Sequence, residues 1–108
     1  FWWDRLDFML RRLPSDQLWL TVQGERFEVR RSTNEYSWQR PAVSMLKGRS
    51  EAFRIDFLEE LEVRANVAMP SDVPEEYRVM TWDAIRECET RGVRFGAHSL
   101  SHPVLSQV

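Results

Sequence analysis

The sequence predicts a chain of the α/β class, α+β when taken by itself, and three observations carry that reading. Residues 1–66 hold a helical apolar period, then a strand–turn–strand pattern, then two further helical stretches. Residues 78–108 hold one helix, a short apolar run and a polar loop, the order of one unit of an α/β barrel or sheet. Between them lies a linker, 67–77, marked by Pro70 and Pro74.

Each element follows from local chemistry. Over residues 1–13, Trp2, Leu6, Met9, Leu10 and Leu13 recur at helical spacing, with Asp4, Arg5, Arg11 and Arg12 off that face. Pro14 and Ser15 end the helix. Residues 18–22 and 27–30 read as two strands joined through Gln23-Gly24-Glu25-Arg26, with Gly24 supplying the turn. Residues 32–40 are polar and read as loop. Pro41 suits the opening of a short helix and Gly48 its close. Ser50 can cap a longer helix to about Arg64, with Phe53, Phe57, Leu58 and Leu61 facing inward. Beyond the linker, Thr81 is a good N-cap for a helix over 82–91, and Asp83 favours its first turn electrostatically. Gly92 stands where a left-handed residue would end that helix, and 93–97 reads as a strand. A single short strand cannot bury both its faces alone. The pattern therefore expects parallel neighbours from outside this sequence, and the exposed edges leave room for self-association or domain exchange.

Composition narrows the function. With 108 residues the chain fits one modest core, and 15 basic against 17 acidic side chains give a net charge of −2. There is no basic stripe, so the electrostatic footprint of a nucleic-acid binder is missing. One cysteine, Cys88, excludes an intrachain disulfide framework and reads as a buried small side chain. No apolar run approaches the roughly 18 residues that span a bilayer. The start, Phe1-Trp2-Trp3-Asp4, has neither the features of a signal peptide nor an initiator Met, as expected of an excised or processed segment.

The residues with the most chemical content are His98-Ser99-Leu100-Ser101-His102-Pro103. His98 and His102 are the only histidines, and a helical turn after a strand end would bring both rings to one metal ion. Neutral imidazole suits zinc, and cobalt, nickel or manganese also fit. Ser99 and Ser101 could steady the rings or simply make a turn. Two solvated or capping loop histidines are the plain alternative.

Thr81 to Arg86, then Arg91-Gly92-Val93-Arg94-Phe95-Gly96-Ala97 and the motif itself, resemble the polysaccharide deacetylases, the NodB-homology domains of carbohydrate esterase family 4. The family's second motif, His-[Ser/Thr]-x-x-His-Pro with a leucine soon after, is matched by His98, Ser99, His102, Pro103 and Leu105. The opening Phe1 to Leu6 resembles the start of an insertion seen in a bacterial subset of that family.

The resemblance implies part of a distorted (β/α) barrel, with 1–66 as an inserted helix–hairpin–helix subdomain and 78–108 as a returning barrel unit. It further implies metal-dependent removal of N-acetyl groups from an amino-sugar polymer or precursor. His98 and His102 would be metal ligands, and Ser99 and Pro103 would hold their loop. The family's aspartate pair is missing. The adjacent carboxylates are Glu59-Glu60 and Glu75-Glu76, which read as solvated surface, and no third histidine offers a general acid. The chain by itself is therefore expected to be inactive.

Five tryptophans invite a sugar-binding reading. Trp2, Trp19 and Trp82 are expected in the core or at caps, whereas Trp38, beside Tyr36 and Arg40, is the candidate for an exposed aromatic that meets substrate. The alternative to an enzyme part is a non-catalytic module that binds glycan or a partner and carries a vestigial His pair.

Overall fold

The computed structural model describes residues 1–33 and 39–99. Among them are four α-helices and a two-stranded antiparallel sheet, a small mixed α/β arrangement. The chain divides into two compact units, one of Phe1–Met69 and one that begins at Pro70.

In the first unit, helix α1 (Trp2–Arg11) buries Leu6, Met9 and Leu10, with Leu13 just beyond its end. Asp7 and Phe8 are buried as well. Asp7, 5 % exposed, shares the single N–H of Arg11 Nε one turn on between its two carboxylate oxygens, at 3.0 and 2.9 Å. Removal from water is costly for a carboxylate, and a charged partner at that spacing offsets the cost.

Strands β1 (Gln17–Val22) and β2 (Glu25–Arg30) meet in a two-residue turn, shorter than the four-residue joint expected from sequence. Gln23 (φ 49°) and Gly24 (φ 80°) both take the left-handed region that matches the twist of a tight hairpin. Leu20, Val22 and Val29 point into the core. Their neighbours Gln17, Trp19 and Thr21 point away, opposite Arg30, Glu28 and Arg26. Trp19 is thus 46 % exposed rather than core. The continuous apolar run Leu18-Trp19-Leu20 hides the two-residue alternation that decides this.

Helix α2 (Gln39–Lys47) starts two residues ahead of Pro41, so Gln39 and Arg40 are helical rather than loop. Pro41 falls in the first turn, where its absent N–H has no intrahelical acceptor to lose. Helix α3 (Glu51–Ala65) begins at Ser50, whose hydroxyl accepts from Phe53 N at 3.2 Å, and ends at Asn66 with φ 50°. Phe53, Phe57, Leu58, Leu61 and Ala65 are buried on its inner face. α3 packs on β1 and on α1, and α1 packs on α2. Burial of each such Leu or Phe is worth roughly 1.5–3 kcal/mol, which makes this shared centre the source of the unit's stability.

Two arginines tie the helices together. Arg54, only 5 % exposed, donates to Arg49 O at 2.6 Å and Leu46 O at 3.4 Å, so a buried cation sits at the carbonyl end of α2. Arg49 donates to both Glu25 oxygens at 2.9 and 2.8 Å, and its guanidinium lies 4.6 Å from the Phe53 ring centroid. The hydrogen bond from Arg49 holds the Glu25 carboxyl below its usual range. Nearby, the Trp2 indole nitrogen is buried with no acceptor among the described residues, a cost of about 1–3 kcal/mol.

The second unit has a turn of 3-10 helix (Glu75–Tyr77) and helix α4 (Trp82–Thr90). None of its described residues is buried. Trp82, expected at a capping or core position, is 75 % exposed, and Cys88 is half-buried rather than buried. No strand forms over 93–97, contrary to expectation. A strand needs a hydrogen-bonded neighbour, and the sheet of the described residues is complete with β1 and β2. No described helix is long and apolar enough to cross a membrane.

Candidate functional site

The segment that leads to His98 is built by α4. Thr81 Oγ1 accepts from Ala84 N at 3.1 Å and opens the helix. At the other end Gly92 N donates to Glu89 O and Val93 N to Cys88 O, both at 3.1 Å. This crossed pair is the Schellman arrangement, and it needs the left-handed φ of 90° that Gly92 adopts. The helix end therefore fixes the direction in which 93–99 departs. Every residue of that stretch is exposed, His98 and Ser99 included.

Ser99 has φ 67°. The other non-glycine residues with positive φ are Gln23 in the hairpin turn and Asn66 at a helix end, among the described residues. A serine in that region stores of order 1–2 kcal/mol of strain, directly after His98.

Leu100, Ser101, His102 and Pro103 lie outside the described residues, as do Tyr36 and Trp38. The expected pairing of the two imidazoles on one ion, and the exposed aromatic at Trp38, therefore have no geometry to report. Among the described residues no group of three or more His, Cys, Asp or Glu side chains gathers as a metal site would require. Two of the three carboxylates of α4 are engaged elsewhere: Asp83 with Arg86 and Glu87 with Arg91, each at 2.6 Å. Glu60 pairs with Arg64 at 2.9 Å and Glu75 with Arg78 at 3.0 Å, on the surface where the sequence places both carboxylate pairs.

Sequence reasoning missed one grouping. Trp19 and Arg26 stand together on the outer face of the hairpin, the guanidinium carbon 4.5 Å from the ring centroid. Parity along β1 would have revealed it, because Leu20 and Val22 fix the inner face and leave Trp19 on the other. The chain matches no family model, no curated protein and no solved structure.

Proposed function

We propose that this chain is one portion of a metal-dependent polysaccharide deacetylase, the portion that delivers His98 and His102 to a divalent metal, with zinc favoured by ligand type. The observation that carries the reading is the spacing His98-Ser99-x-x-His102-Pro103, which follows a helix, its terminal glycine and the short run 93–97. Two features of the structure support it. The Schellman end of α4 fixes where the segment leading to the motif leaves the helix, and Ser99 inside the motif adopts a left-handed φ.

An exposed imidazole at His98 suits a metal ligand, and two histidines would supply two of the three protein ligands of a typical catalytic site. A metal held there would acidify a bound water and polarise the substrate carbonyl. The part of this chain is narrower. His98 and His102 would hold the ion as neutral imidazoles, in competition with protons. Ser99, which follows His98, and Pro103, which follows His102, would hold their loop, as the resemblance implies. The base, the acid and the remaining ligand come from residues outside this sequence. The substrate class is an N-acetylated amino-sugar polymer or its precursor.

Zinc titration of the chain, followed through the imidazole NMR signals, tests the reading. The expected result is weak binding that shifts both histidines and vanishes in the His98→Ala, His102→Ala double variant. Unresponsive imidazoles, or binding that survives in the double variant, would overturn the metal role. Acetate release from an N-acetylglucosamine oligomer by this chain alone would show that it already holds the groups assigned elsewhere.

A further inference from the structure

The outer face of the hairpin carries a second grouping whose chemistry the histidines do not explain. Across β1 and β2, Gln17 faces Arg30, Trp19 faces Glu28 and Thr21 faces Arg26. Every one of these six outer positions is exposed or half-buried. The arginines that follow Arg26 on this hairpin each have a counter-charge: Arg30 meets Glu28 at 3.1 Å and Arg31 meets Asp16 at 3.6 Å. Arg26 has none among the described residues, and its guanidinium stacks on the Trp19 ring instead.

A cross-strand Trp–Arg pair steadies a hairpin by itself, and that accounts for their proximity. It does not account for the unneutralised charge. A planar indole with a guanidinium stacked over it, the guanidinium donors unused, forms two complementary halves of one recognition surface on the paired strands. The indole face turned away from Arg26 would meet the C–H face of a pyranose. The guanidinium fork matches a carboxylate with two parallel hydrogen bonds. Gln17 and Thr21 supply hydrogen-bonding groups at the rim.

We infer that this face binds an acidic glycan, a pyranose that stacks on Trp19 while its carboxylate pairs with Arg26. The choice of a sugar over another anion rests on the deacetylase reading above, whereas the charge complementarity does not. In that setting the hairpin is an anchoring surface for a uronate-containing polymer, separate from the histidine motif.

The test is an NMR titration of the full chain with trigalacturonate, with a chelator present so that its outcome does not depend on metal at the histidines. A neutral N-acetylglucosamine oligomer and hexaglutamate serve as comparison ligands. Trigalacturonate is expected to shift the Trp19 indole N–H and the Arg26 side-chain signals, and to lose affinity as salt rises. Affinity should fall at least tenfold in Arg26→Gln and in Trp19→Ala. Trp19→Phe, which keeps a ring and spares the hairpin, should lose less. Absence of shifts at Trp19, or undiminished binding by a folded Arg26→Gln, would overturn the proposal. Equal affinity for hexaglutamate would turn the face into an acidic-peptide site and overturn it too. Equal affinity for the neutral oligomer would remove the role of Arg26. Failure here leaves the zinc experiment untouched, and the reverse also holds.

Discussion

Helices α3 and α4 obey the same local rules and end in opposite circumstances. Each opens on a hydroxyl cap, Ser50 to Phe53 N and Thr81 to Ala84 N, at 3.2 and 3.1 Å. Each ends on a left-handed residue, Asn66 or Gly92. Yet α3 buries six residues and α4 none. The contrast separates two causes often run together. Caps and helix formers define where a helix can lie, whereas its stability in a protein comes chiefly from the face it buries. A nine-residue helix with no buried face has only the first.

The largest expected effect breaks the comparison at its centre. Phe57→Ala should cost about 3–5 kcal/mol in urea unfolding followed by circular dichroism, because it opens a cavity among α3 and the hairpin. Trp82→Ala, on the exposed start of α4, should stay within about 0.5 kcal/mol. Equal costs would mean that α4 buries its apolar side in solution.

The caps give a finer version. Ser50→Ala should destabilise the first unit by about 1 kcal/mol, visible in its unfolding midpoint. Thr81→Ala removes a matching bond, but its effect should appear only as lost helicity and faster amide exchange within α4, with the main transition unmoved.

The smallest effect is electrostatic. The Glu25 carboxyl is held below its usual value of 4.5 by Arg49, so the folded form binds a proton less readily than the unfolded one. The stabilisation is therefore present above the unfolded value and lost as pH falls through the folded one. The melting temperature should decline more steeply below about pH 4.5 in the parent than in Glu25→Gln. Salt should reduce the difference, since both side chains meet solvent.

Where the sequence was legible, a local rule decided the outcome. The apolar faces of α1 and α3, the Ser50 and Thr81 caps and the Gly92 terminus are all written in short-range patterns. Features that depend on the folded surroundings were not legible. Asp7 and Arg54 are polar side chains on buried faces; their partners lie only four to eight residues away, but an apolar period does not say that a polar residue will be buried beside them. The expected strand at 93–97 lacks a neighbour, which no local composition can supply. Trp19 was misplaced because an unbroken apolar run conceals which face is which. For the candidate site the balance is different: the histidine spacing is explicit in the sequence, while the structure describes the approach to it and His98 but not His102.

The buried Arg54 also bears on the order in which the first unit assembles. Its acceptors, Arg49 O and Leu46 O, lie five and eight residues away. Closing so short a segment costs little chain entropy and takes about 10–100 ns for a ten-residue loop. The contact of α1 with α3, marked by Arg5 and Glu62, spans 57 residues and carries a larger closure entropy. By closure entropy alone the α2–α3 corner and the β1–β2 hairpin form before the α1–α3 contact. Conservative changes in that corner should slow refolding, while changes in α1 should mainly hasten unfolding.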